Sequence, residues 1–176
     1  MREHVERLQL LFERRSIRRF TGESIPKDHL LWISEAGFAA PSASNRRPWH
    51  ITIITNRKIL DQLAEVNPYG KMLTKASAAF LVSGDSHRMY EGEAKEFWIQ
   101  DCSAVTQNVL LAAQALGYGA VWIGQHPLKT RVESAKEIVH LPEHLEPLSL
   151  IAIGVPDEKK EARTQWEESQ ILWRES

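Results

Sequence analysis

The sequence is short of cysteine, of one-signed charge and of long apolar runs, and each shortage excludes something. Cys102 is the single cysteine among 176 residues, so it cannot close an intramolecular disulfide or by itself form a thiolate metal site, and a reducing compartment is expected. Lysine plus arginine number 22 against 23 aspartates and glutamates, a formal charge of −1. No global field therefore draws the chain toward nucleic acid or an anionic membrane, and any basic site must be local. No apolar run approaches the roughly 18 residues of a membrane span. Met1 to Arg7 mixes acids and bases where a signal peptide needs an apolar stretch. The expectation is a soluble, cytoplasmic protein without a nucleic-acid or membrane partner. Also missing are a Gly-x-Ser-x-Gly elbow and a phosphate loop ending in Gly-Lys-Ser/Thr, which removes the usual anchors of hydrolases and nucleotide triphosphatases. There is no internal repeat and no low-complexity segment.

What is present suits one domain over residues 1–176. At 43% hydrophobic residues the chain can bury a sizeable core without staples. Val5, Leu8, Leu11 and Phe12 fall on one helix face and predict a helix over 2–15. Ser24 near a cap and Pro26 in a first turn predict a second helix ending by Pro41. Strand character follows over 49–55, then a helix over 57–66, a buried strand over 78–84, and a long helix from about Glu93 to Leu116 stopped by Gly117. A strand over 118–124, a helix over about 130–139, a strand from about Leu148 to Val155, and a charged tail ending in Ile171-Leu172-Trp173 complete the pass. Four strands among helices predict a layered α+β (α/β) domain, with strand order open. The tail is expected either to pack on a partner chain or to fold back on its own domain.

The strongest local feature is Arg14-Arg15-Ser16-Ile17-Arg18-Arg19, four arginines in six residues. Guanidinium groups complement a helix C-terminus, so a solvated helix end explains part of the cluster. Planar forks beside a serine hydroxyl also suit a phosphate dianion, and nucleic acid is a weaker third option. Gly117-Tyr118-Gly119 lies between a helix and a strand, the reverse of the order a dinucleotide fingerprint requires, and reads as a helix stop and turn. Ile123-Gly124 closes a strand where backbone groups can approach a flat ligand. His140 and His144 have a helical metal spacing broken by Pro142, which favours a surface turn. Cys102 sits among apolar residues and reads as a packed thiol. An anion cluster with few acid-base groups suits an enzyme whose cofactor carries the chemistry.

With those residues in view, the chain resembles the nitroreductase-like FMN-dependent flavoproteins, in particular their compact members. RRSIRRF resembles the flavin-phosphate motif, PSASNRRPWHITII the Pro-Ser-x-x-Asn-x-Gln-Pro-Trp segment, ALGYGAVWIG the Gly-Leu-Gly-x-x-Trp-x-Gly stretch, and Gly154-Val155-Pro156-Asp157-Glu158 with Arg163 the closing motif. The resemblance implies a mainly antiparallel sheet flanked by helices, in a homodimer with shared active sites and a C-terminal arm onto the partner. It implies FMN with Arg14, Arg15, Ser16, Arg18 and Arg163 on the phosphate and ribityl chain. Pro41, Ser42, Ala43 and Asn45 would line the isoalloxazine from the second subunit, and Ile123 and Gly124 would lie near its N5 edge. NAD(P)H as donor, ping-pong hydride transfer to nitroaromatic, quinone or related small-molecule acceptors, and no catalytic side chain complete the implication. A non-catalytic flavin-binding or sensing module is the alternative. Arg47 stands where the family usually has Gln, and Tyr118 where it has Leu.

Overall fold

The computed structural model describes residues 6–163 and 165–174. Four strands, β1 (Trp49–Ile54), β2 (Ala78–Asp85), β3 (Gly119–Gly124) and β4 (Leu145–Gly154), form one sheet in the order β1-β2-β4-β3. Every neighbouring pair is antiparallel. With β2 and β4 central, both faces of these strands are covered, and Ala78–Val82 and Leu150–Ile153 within them are unbroken apolar runs. Phe80, Val82, Ile151 and Ile153 point to one face, against Ile33 of α2 (Lys27–Phe38) and Val105 and Val109 of α4 (Phe97–Ala115). Ala79, Leu81, Leu150 and Ala152 point to the other, against Leu60 and Leu63 of α3 (Arg57–Val66) and Ala135 of α5 (Lys129–Val139). The period-two alternation of one strand pair thus feeds two separate cores.

Helix starts and stops follow local chemistry. Asn56 caps α3, its side-chain oxygen accepting from the N–H of Lys58 at 2.9 Å and of Ile59 at 3.4 Å. Gly117 ends the long helix with φ +79°, as its lack of Cβ allows. At α2 the expected cap is wrong: Pro26 occupies the N-cap position, and no side chain, Ser24 included, caps that end.

Two regions depart further from the sequence reading. The helix expected over 2–15 is a 3-10 turn at Glu6–Leu8 followed by α1 at Gln9–Glu13 only, while residues 2–5 lie outside the described residues. Leu8 and Leu11 on its apolar face are 47% and 48% exposed, while Phe12 is half-buried, so among the described residues that face is only partly covered. Second, β4 begins at Leu145, not near Leu148, and so contains Pro147. Pro147 is accommodated where the β2–β4 register shifts, pairing with Ser83 beside the irregularity at Val82/Ser83; a bulge tolerates a residue that cannot donate to the ladder.

The feature that positions the site is a flat patch at one end of the sheet. Gly119 and Gly154 are register partners. A Cβ on Gly119 would lie 2.6 Å from Ile17 Cγ2, and one on Gly154 would lie 2.9 Å from Phe20 Cδ1. The paired glycines therefore let the extended segment 14–20 lie directly on the sheet, with Ile17 N–H donating to the Ala120 carbonyl at 3.0 Å and Thr21 N–H to Val155 at 3.0 Å.

Candidate active site

The arginine cluster begins at the end of α1, where Arg14 is the C-cap and its N–H donates to the Leu10 carbonyl at 3.1 Å, and then runs off the helix. Arg14 already has extended backbone (φ −58°, ψ 122°), and Ser16 pairs in parallel with Ala120 at the edge of β3. Ile17 and Phe20 are buried, against Gly119 and Gly154, while Arg18 and Arg19 face out. Arg14, Arg15, Ser16 and Arg18 line one cavity of about 310 Å³, together with Lys160 and Arg163 from the far end of the chain. Burial, and next the neighbouring Arg15 guanidinium, lower the pKa of Arg14. Both causes oppose an uncompensated cation, and an anion in the cavity would relieve the second.

The returning C-terminal segment fixes this geometry. Arg163 N–H donates to the Phe12 carbonyl at 3.0 Å and Asp157 N–H to Arg19 at 2.9 Å; Arg15 Nη1 donates to the Glu161 carbonyl. Lys160 Nζ donates to the Ser16 carbonyl at 2.6 Å and lies 3.3 Å from Glu158 Oε1. That carboxylate oxygen accepts the Arg18 N–H at 2.6 Å and the Arg19 N–H at 3.3 Å. The Arg18 amide first, and the Lys160 ammonium with it, hold the Glu158 carboxyl below the usual carboxylate range against the opposing effect of burial. Lys160 was missed by the sequence reading, since one lysine in a charged tail carries no periodic signal; Glu158 was noted only as part of a motif.

The second group of expected residues sits in the connection between α2 and β1. Ser44, Asn45 and Arg47 all have positive φ (47°, 53° and 49°), a conformation that non-glycine residues keep only when their surroundings enforce it. Here Ser42 Oγ accepts the Arg47 N–H at 2.9 Å, and Asp101 Oδ1 of α4 accepts the Ala43 N–H at 2.9 Å. Asp101 is 7% exposed, the one acid among the buried residues of α4, and that mismatch is the signal the sequence offers for it. Arg46 donates to the carbonyls of Arg88 at 2.9 Å and Met89 at 3.0 Å while its guanidinium lies 4.4 Å from the Tyr90 ring centroid. Arg46 and Arg47 are both exposed.

Ile123 and Gly124 end β3, with Ile123 buried and the Gly124 carbonyl accepting Arg131 Nη1 at 3.1 Å. Arg14, Arg15, Ser16, Arg18 and Arg163 lie together around one cavity. Pro41, Ser42, Ala43, Asn45, Ile123 and Gly124 do not line that cavity within one chain. Cys102 is buried, and its burial, then the Asp101 carboxylate, push its thiol far above its ordinary range, which makes a packed thiol of it. In the tail, Leu172 and Trp173 are 73% and 69% exposed, so they have not folded back onto this domain.

Known proteins share this fold. The nitroreductase family profile matches residues 11–68 and 65–155. The chain belongs to the nitroreductase family. A protein of Methanothermobacter thermautotrophicus named "Putative NADH dehydrogenase/NAD(P)H nitroreductase" is 40% identical over 164 residues, covering 93% of this chain and 84% of its own length. A crystal structure of the same name from Parabacteroides distasonis superposes with a TM-score of 0.89 at 36% identity, over 96% of this chain and 98% of that one. A Desulfovibrio desulfuricans structure described as a "putative nitroreductase in complex with fmn" gives a TM-score of 0.80 at 32% identity, over 96% of each chain. The family profile thus takes in Arg14, Arg15, Ser16 and Arg18 and ends at residue 155, ahead of Lys160 and Arg163.

Proposed function

We propose that this nitroreductase-family chain is an FMN-dependent NAD(P)H oxidoreductase that reduces nitroaromatic, quinone or related small-molecule acceptors as a cytoplasmic homodimer. The observation that carries the reading is the cavity where Arg14, Arg15, Arg18, Lys160 and Arg163 converge around Ser16. Cationic forks beside a hydroxyl suit a phosphate dianion, through charge-assisted hydrogen bonds of about twice the ordinary strength. The residues present therefore fit a phosphorylated flavin.

When bound, FMN would supply the redox chemistry, taking hydride from the nicotinamide and delivering electrons to the acceptor in ping-pong order. The chain's own residues bind and orient. Arg14, Arg15, Arg18 and Arg163 would hold the phosphate and ribityl chain, and Ser16 would add its hydroxyl. Glu158 and Lys160 keep residues 16–19 in place by their backbone bonds. Pro41, Ser42, Ala43 and Asn45, in a loop pinned by Asp101, would line the ring of the partner's cofactor, and Ile123 and Gly124 would present backbone groups to its own. Holding two reactants in near-attack geometry can supply roughly 7–11 kcal/mol of a barrier, so placement alone is a sufficient contribution. The exposed Ile171, Leu172 and Trp173 would wrap the partner as an arm.

Purified protein tests this directly. The expected result is a yellow protein bleached by NADH or NADPH without oxygen and re-coloured by a quinone or nitroaromatic. Bound flavin that stays oxidised with both donors would make the chain a binding module. A protein that takes up no FMN would sink the proposal.

A further inference from the structure

At the sheet end where β2 leaves and β4 enters, three potential ligand side chains meet outside the arginine cavity. Asp85 is the last residue of β2 and the register partner of Leu145, the first of β4. His87 follows in the turn, and His144 directly precedes β4. Their nearest carboxylate oxygen and ring nitrogens all lie within 4.8 Å of one another, and this trio is the one such group among the described residues. The two imidazoles stack, with centroids 4.5 Å apart and planes 14° from parallel. The backbone holds the three together: Ser86 N–H donates to the His144 carbonyl at 2.9 Å, and Asp85 Oδ1 accepts the His87 N–H at 2.9 Å while lying 3.7 Å from His87 Nδ1.

We propose that Asp85, His87 and His144 bind one divalent transition-metal ion of the zinc class. Two imidazole nitrogens and one carboxylate oxygen are the donor set that suits zinc and its neighbours, whereas calcium and magnesium demand oxygen ligands. A four-coordinate ion with bonds of about 2.0–2.2 Å needs its ligand atoms roughly 3.4 Å apart, so separations of up to 4.8 Å must close by up to about 1.4 Å. The side chain of His87 is 72% exposed and that of Asp85 only 20%. Asp85 is thereby held while the His87 ring turns out of the stack to aim a nitrogen at the ion. A fourth position is left for water.

Such an ion would clip the turn after β2 to the entry of β4. Asp85 N–H also donates to the Pro48 carbonyl at 2.8 Å, and the same turn supplies the Arg88 and Met89 carbonyls that anchor Arg46. The clip would therefore stiffen the support of the 41–47 loop without touching the arginine cavity, and its existence does not depend on the flavin assignment.

The test is equilibrium dialysis of chelator-stripped, FMN-treated protein against zinc chloride, with metal analysis. One zinc per chain is expected. His87→Ala and His144→Ala should each weaken uptake by at least about tenfold, the scale of losing even an outer-shell partner. Asp85→Asn, which keeps an acceptor for the His87 amide, should weaken it too, while His50→Gln should not. X-ray absorption on zinc-loaded unmodified protein should show two imidazoles at the metal, a readout independent of how the variants fold. No stoichiometric zinc, equal uptake by the His87→Ala/His144→Ala double variant in folded form, or a spectrum without two imidazoles would overturn the proposal.

Discussion

Residues 14–20 and residues 41–47 both lie outside the sheet and the long helices, yet they are held by opposite means. The first is extended, highly cationic and tied to the chain's other end by the Asp157 N–H on the Arg19 carbonyl and the Lys160 ammonium on the Ser16 carbonyl. The second is mostly small and polar, has left-handed backbone at three residues, and is held by a buried carboxylate from α4. The cationic segment forms its cavity within one chain, whereas the loop is set beforehand but lines no part of that cavity. In the proposed dimer one half of the site would be complete in a single chain and the other would need a second copy, so the two should fail differently when altered.

The largest effect is expected from breaking the cationic half. Arg14→Ala combined with Arg18→Ala removes two charge-assisted partners worth about 1.5–3 kcal/mol each. FMN affinity should fall by about 10²–10⁴-fold, giving folded but largely colourless protein, as flavin content per chain would show. Retention of full flavin content would break the comparison at its root.

Next, Gly119→Val attacks the surface on which that half rests. A side chain there meets Ile17 Cγ2 at 2.6 Å and should cost roughly 1–3 kcal/mol, the usual range for overpacking, read by urea unfolding. Flavin should dissociate more readily as well, because residues 14–20 must lift.

A smaller effect is expected at the loop. Asp101→Ala leaves the Ala43 N–H without its acceptor, at about 1 kcal/mol or more. FMN content should hold while the KM for nicotinamide rises several-fold; Asp101→Asn, which keeps an oxygen acceptor, should be milder. Mixed dimers of an Arg14→Ala/Arg18→Ala chain with an Asp101→Ala chain would sharpen the point, since shared sites predict one intact site per mixed dimer.

The smallest effect is pH-dependent. Glu158 has its carboxyl held below the usual range, chiefly by the Arg18 amide. Its stabilising contribution is therefore present above the unfolded-state carboxylate pKa of about 4.3 and is lost as pH falls through the lower folded value. The melting temperature should drop as pH is lowered from about 5 toward 3, and Glu158→Gln should flatten that drop.

Much of the fold was legible because its signals are local. The apolar runs within β2 and β4, the Asn56 start of α3 and the Gly117 stop of α4 each follow from the residues on the spot. The N-terminal helix was overextended because periodicity reports an apolar face without saying whether anything covers it, and Leu8 and Leu11 are exposed. Pro147 hid the first residues of β4 because its tolerance depends on an irregularity in another strand. Lys160 and Asp101 stayed out of sight for the same reason, as each acts on a backbone atom 144 or 58 positions away.

By itself the sequence determined composition, charge clustering, the two-sided apolar strands and the motif order that marks the family, since these depend on neighbours along the chain. Tertiary structure alone decided that four arginines would leave their helix and lie across a glycine pair, and that Lys160 and Arg163 would return to meet them. It alone brought Asp85 and His87 beside His144. Those outcomes turn on contacts between distant segments, whose closure depends on strand register and the packing of whole elements, and no local pattern encodes either.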